Sequence, residues 1–101
     1  MTKRTYKISN AALNDIEEIW FYTFTNWSKD QADRYYNLIL SEIDYLCQNP
    51  QSGKPMDHIR KGYRVSKVKS HLIFYKESAE FDIEVVRILH EKMDIENRLK
   101  D

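Results

Sequence analysis

Both prolines of the chain, Pro50 and Pro55, and one of its two glycines, Gly53, fall between positions 50 and 55. Proline fixes φ and removes a backbone donor, so no helix or central strand runs through such a cluster. The breaker divides the chain by periodicity. Before it, apolar residues recur at helical spacing; after it, they come in short runs of strand type. Neither side is large enough to bury a core alone, so the cluster reads as a loop within a single domain spanning residues 1–101.

Residues 5–9, with Tyr6 and Ile8 alternating against Lys7, predict a first strand. Ser9 or Asn10 supplies a helix N-cap, and Asp15, Glu17 and Glu18 sit early, where the helix dipole favours acids. Ala12, Ile16, Ile19, Trp20 and Thr23 mark the buried face of that helix, and Asn14, Asp15, Glu18 and Thr25 the opposite one. Ser28 followed by Gln31 fits a capping box opening a second helix. That helix carries Ala32, Tyr35, Tyr36, Ile39, Ile43, Leu46 and Cys47 on one stripe. Two amphipathic helices with so short a link pack antiparallel as a hairpin.

Beyond the breaker, residues 63–68, 71–76 and 81–89 predict three strands, and their short polar links make them antiparallel neighbours. The tail from Lys92, around Met93, Ile95 and Leu99, predicts a last turn or two of helix. The fold class is therefore α+β: an N-terminal strand, a helical hairpin, a curved and mainly antiparallel sheet, and a short helical tail. Leu72 and Phe74 point to one face, Ile73 and Tyr75 to the other. Phe81, Ile83 and Val85 likewise oppose Val86 and Ile88, so both faces are apolar. The hairpin covers one; the tail or a partner chain covers the other.

Net charge is zero, but it is unevenly spread. Residues 14–48 hold seven carboxylates against two cations, and residues 54–76 seven cations against one carboxylate. The second stretch is either a locally biased solvated surface or a place to meet an acidic partner, nucleic acid or peptide. A single cysteine, Cys47, excludes an internal disulfide and fits a reducing compartment; on the apolar stripe it reads as a core residue. No run approaches the roughly 20 apolar residues that cross a bilayer, and the basic start lacks the apolar run of an export signal. The expected location is the cytoplasm.

Phosphate-loop, serine-hydrolase, zinc-protease and paired-cysteine motifs are absent, and His58, His71 and His90 lack zinc-site spacing, so neither metal nor cofactor is implied. One constellation carries chemistry. Arg64, His71, Arg87 and His90 all lie on or beside the predicted sheet, where histidine can shuttle protons and arginine can clamp a phosphate, as a metal-free RNA-cleaving site requires. Strand parity works against it, since Arg87 and His90 are three positions apart and face opposite sides of an unbroken strand. Arg64 and Arg87 have a structural alternative, tying strands to acidic partners.

The ordered set of Tyr6, Ile8, Ser9, Ala12, Asp15, Ile16, Ile19, Trp20, Tyr22 and Thr23 resembles the opening of ParE-type toxins of the RelE/ParE toxin–antitoxin superfamily. The likeness continues through Trp27, Ser28, Gln31, Ala32, Tyr35 and Tyr36, then Pro50, Gly53, Ile59, Gly62, Tyr63 and Arg64. It closes with His71, Ile73, Phe74, Tyr75, the run from Arg87 to His90, Met93 and Asp94. The resemblance implies a toxin that poisons DNA gyrase and is neutralised by a cognate ParD-like antitoxin with an acidic, amphipathic C-terminal segment. The related RelE branch instead cuts messenger RNA on the ribosome. The segment from Pro50 to Gly62 contains no Glu to act as its base, and no Tyr follows the last strand. Three readings follow: a gyrase poison, a ribosome-dependent endoribonuclease using Arg64, Arg87, His90 and His71, and an inactive antitoxin-binding relic. The surface expected to meet the antitoxin or target comprises Arg60, Lys61, Arg64, Lys67, Lys69, Ile73, Tyr75 and Arg87.

Overall fold

The computed structural model describes residues 5–99. Strand β1 (Tyr6–Ile8) leads into helices α1 (Asn10–Asn26) and α2 (Lys29–Gln48). After the breaker come β2 (Lys54–Pro55), β3 (Tyr63–Val68), β4 (His71–Glu77), β5 (Ile83–His90) and helix α3 (Ile95–Leu99). The strands form one sheet in the order β1-β5-β4-β3-β2; β1 runs parallel to β5 and every other pair is antiparallel. The expected α+β architecture is present. Strand β2 was not expected, and β5 starts two residues later and ends one later than the apolar run suggested.

Serine opens both α1 and α2. Ser9 Oγ accepts from Ala12 N at 3.0 Å and Ser28 Oγ from Gln31 N at 3.1 Å, each satisfying an amide that the first turn leaves without a helical partner. The hairpin is tied across by Trp20 Nε1, which donates to Asp33 Oδ1 at 3.0 Å. The stripes pack largely as the spacing predicts: Ala12, Ile16, Ile39, Ile43, Leu46 and Cys47 bury against Ile73, Tyr75, Ile83, Val85 and Ile88. Two positions differ. Tyr36 is exposed. Asp15, expected on the wet face of α1, is buried, because it is paired with a strand arginine rather than with the helix dipole.

A β-bulge explains the larger correction. Phe74 pairs with Arg87 and Tyr75 with Val85, so Val86 has no opposite number. The alternation of β5 therefore shifts at Val86: Ile83 and Val85 face the helices, and so does Ile88. Val86 packs on the other side with Phe74 and Leu89. The expectation that Val86 and Ile88 share a face assumed an unbroken strand.

The second face of the sheet is covered from within the chain. Leu99 is buried against Phe74 and Leu89, with Ile95 of α3, Met56 and Ile59 of the β2–β3 connection and Tyr63 of β3 around them. Full burial of a side chain such as Phe74 is worth about 1.5–3 kcal/mol over exposure. Ile73 and Tyr75, expected to meet a partner, are both 0% exposed on the helix side. The register places them under the hairpin, and Phe74 takes the opposite face.

The breaker loop is pinned from the core. The Tyr75 hydroxyl donates to Pro50 O and accepts from Gly53 N, both at 2.8 Å. A Cβ at Gly53 would lie 2.3 Å from that hydroxyl oxygen and 2.7 Å from the ring, so no other residue fits unless the ring moves. Among the described residues no helix is long and apolar enough to cross a membrane.

Candidate functional site

The hairpin also completes the hydrogen bonding of the sheet edges. Strand β1 stops at Ile8, opposite Val85, so beyond that point β5 lacks a neighbour on this side. The Ser9 hydroxyl donates to Val86 O at 2.8 Å, and Ile88 N donates to Asp15 Oδ2 at 2.9 Å. Arg87 donates through Nε to Asp15 Oδ2 at 2.8 Å and through Nη2 to Asp15 Oδ1 at 3.0 Å. This is a bidentate pair, and both side chains are largely buried. At the β3 edge, the Tyr35 hydroxyl donates to Val68 O at 3.1 Å and the Ser66 hydroxyl to Glu42.

Most of the cations expected to serve a site are engaged in holding the fold. Arg87 holds Asp15. Arg64 Nη1 donates to Gly53 O at 2.8 Å and Gln51 O at 3.2 Å, which fastens the breaker loop to β3. Arg60 Nη1 donates to Leu99 O at 3.0 Å, and its guanidinium lies 5.8 Å from the Tyr63 ring centre. Lys67 pairs with Glu91 at 3.3 Å on the surface. Lys61 and Lys69 are exposed, and Lys69 sits in the β3–β4 turn with φ of 53°.

The two histidines do come together. His71 and His90 are directly opposed across β4 and β5, with ring centres 5.2 Å apart. Tyr35 Oη lies 2.6 Å from His71 Nδ1. A proton on Nδ1 satisfies the whole chain: His71 donates to the Tyr35 oxygen, whose own proton goes to Val68 O. His90 Nδ1 accepts from Lys92 N at 3.1 Å, which puts any neutral-ring proton of His90 on Nε2. Burial, reinforced by the nearby His90, lowers the pKa of His71 from 6.5 to about 4. At neutral pH it is an uncharged hydrogen-bonding group, poorly matched to giving up and taking back a proton there. The parity count holds, since the register from Arg87, opposite Phe74, to His90, opposite His71, is unbroken; Arg87 reaches round the edge of β5 to Asp15, which lines the same hollow as the two histidines. Arg64 does not join them; it is bound to the breaker loop.

What lies above the histidines is a cleft of about 650 Å³ between the hairpin elbow and the β3–β4 turn. Its walls include Tyr22, Trp27, Arg34, Leu38 and Lys69. Sequence reasoning did not single out Tyr22, Trp27 and Arg34 as site residues. The available signal was negative: two large aromatics and a cation lying off the buried stripes of their helices. Among the described residues no group of three or more His, Cys, Asp or Glu side chains converges as metal ligands.

Comparison with known proteins agrees with this architecture. The family model described as the ParE toxin of the type II toxin–antitoxin system parDE matches residues 6–95. Toxin ParE1 of Mycobacterium tuberculosis is 42% identical over 94 residues, covering 93% of this chain and 96% of that protein. Toxin ParE1 of Caulobacter vibrioides is 31% identical over 91 residues, covering 90% and 93%. A solved structure of the chromosomal ParDE system from P. aeruginosa superposes with a TM-score of 0.75 at 18% identity, over 86% of this chain and 95% of that one, a likeness of fold. The chain belongs to the ParE family of toxins of type II toxin–antitoxin systems.

Proposed function

We propose that this chain arrests growth by binding DNA gyrase in the cytoplasm, not by cutting RNA, and that a ParD-like antitoxin neutralises it. The observation that carries this reading is kinship with ParE toxins along nearly the full length of both chains. The arrangement of the cations supports it. Arg64 and Arg87, which an endoribonuclease would turn towards phosphate, are bound to loop carbonyls and to Asp15. Fold alone does not assign a target, so the assignment rests on the kinship and on these roles. The antitoxin brings an acidic, amphipathic segment to the cationic stretch 54–76, and raised salt slows its association by screening the attraction.

Purified protein mixed with gyrase and relaxed plasmid is expected to suppress supercoiling and to accumulate cleaved DNA at micromolar concentration. Unimpaired supercoiling together with growth arrest in cells contradicts the gyrase assignment. Induction without antitoxin that leaves growth unchanged instead identifies a relic.

A further inference from the structure

The cleft at the hairpin elbow is not needed to bury the core, yet it gathers the chain's most exposed large aromatics. Tyr22 is 67% and Trp27 70% exposed. Exposed aromatic anchors beside a hollow are the usual hot spots of protein recognition. Two permanent cations, Arg34 and Lys69, line this end, and no carboxylate does. Neither cation enters an ion pair among the described residues, although Arg34 stands in a hairpin region with seven carboxylates.

Past Tyr22, His71 and His90, which line both hollows, the groove continues into a second one of about 490 Å³ that also carries Glu18 and Met93. Asp15 is there as well, with its charge taken up by Arg87. The groove therefore carries Trp27, Arg34 and Lys69 in the first hollow, Tyr22 and the two histidines where the hollows meet, and Glu18 in the second. A nucleic-acid strand is negative along its length and meets repulsion at Glu18. A peptide can carry the opposite order of charges.

We propose that this groove docks an extended segment of the target protein. An apolar side chain seats against Tyr22 and Trp27, a carboxylate faces Arg34 and Lys69, and a basic side chain faces Glu18. The proposal rests on the reading of the chain as a toxin that acts by binding a protein.

The test uses Trp27→Ala, Arg34→Glu, Lys69→Glu and Glu18→Lys in the full chain. It measures growth arrest, affinity for gyrase, affinity for the cognate antitoxin, and thermal unfolding. The expected result is a loss of about tenfold in gyrase affinity for Trp27→Ala and of a few-fold for each charge reversal, with weakened arrest. Unfolding midpoints stay within about 2 °C of the wild type, since all four side chains are on the surface. Four variants that arrest growth and bind gyrase like the wild type overturn the proposal. So does a loss confined to antitoxin binding, which gives the groove to the antitoxin, or displacement of gyrase by a short single-stranded oligonucleotide, which gives it to nucleic acid. If the wild type arrests growth without binding gyrase, the gyrase assignment fails on its own; arrest then decides for the groove, weakened arrest in folded variants supporting it and full arrest overturning it.

Discussion

Arg87 and Arg34 carry the same group into opposite settings. Arg87 is held by both oxygens of Asp15, which also accepts from Ile88 N, at the point where β5 has lost its strand neighbour. Arg34 stands on the exposed side of α2 at the rim of the cleft, in no ion pair among the described residues. The first charge is consumed in joining a helix to a sheet edge; the second is available to a partner. Arg64 belongs with Arg87, because it fastens Gln51 O and Gly53 O to β3. Lys69, exposed in its turn, belongs with Arg34. In this protein a cation on a strand is a poor guide to a site, and a cation off a buried helix stripe is a better one.

The largest effect that separates the two groups comes from Arg87→Ala. It leaves Asp15 buried without its countercharge, and chemical denaturation is expected to show a loss of about 3–5 kcal/mol. Small domains hold only about 5–15 kcal/mol in total, so this variant is partly unfolded in cells. Next comes Gly53→Ala, which forces a methyl group into the pinned Tyr75 ring and costs about 1–3 kcal/mol by the same measurement.

A smaller effect follows from His71. Its folded pKa lies below its unfolded one, so the unfolded chain takes up the proton first as pH falls. This contribution is fully present above pH 6.5 and is lost as pH drops from 6.5 towards 4. Taken whole the shift is worth about 3 kcal/mol, and half-exposure of the ring reduces that to about 1–2 kcal/mol. Unfolding midpoints followed across that window are expected to fall, and His71→Gln to flatten the decline. The smallest effect is that of Arg34→Glu on stability, within about 0.5 kcal/mol of the wild type. A larger change would move Arg34 into the structural group and break the comparison.

The helices, their serine caps and the antiparallel neighbours β3, β4 and β5 were legible because local periodicity, capping chemistry and short links determine them. What escaped was set by long-range geometry. The bulge at Val86 leaves no local mark, yet it shifts the alternation of β5 and returns Ile88 to the helix side. Asp15 looked like a dipole-favoured surface acid because its partner lies 72 positions away in sequence. Tyr75 was read as facing a partner because strand parity sorts residues into two faces without saying which one the hairpin takes. Of the two covers the sequence allowed for the second face, the tail is the one present: Leu99 reaches Phe74 and Leu89 because α3 folds back over the sheet. Strand spacing alone does not show that His71 and His90 lie side by side, or that His71 is held neutral beside Tyr35; both follow from the register of β4 and β5 and from burial.

The most direct test of the division between structural and contacting cations is a paired measurement of thermal unfolding and growth arrest for Arg87→Ala and Arg34→Glu. Arg87→Ala is expected to lose stability and arrest together, whereas Arg34→Glu weakens arrest with an unchanged midpoint. An Arg87→Ala protein that melts like the wild type and still fails to arrest growth would make Arg87 a contact residue and remove the division between the two groups of cations.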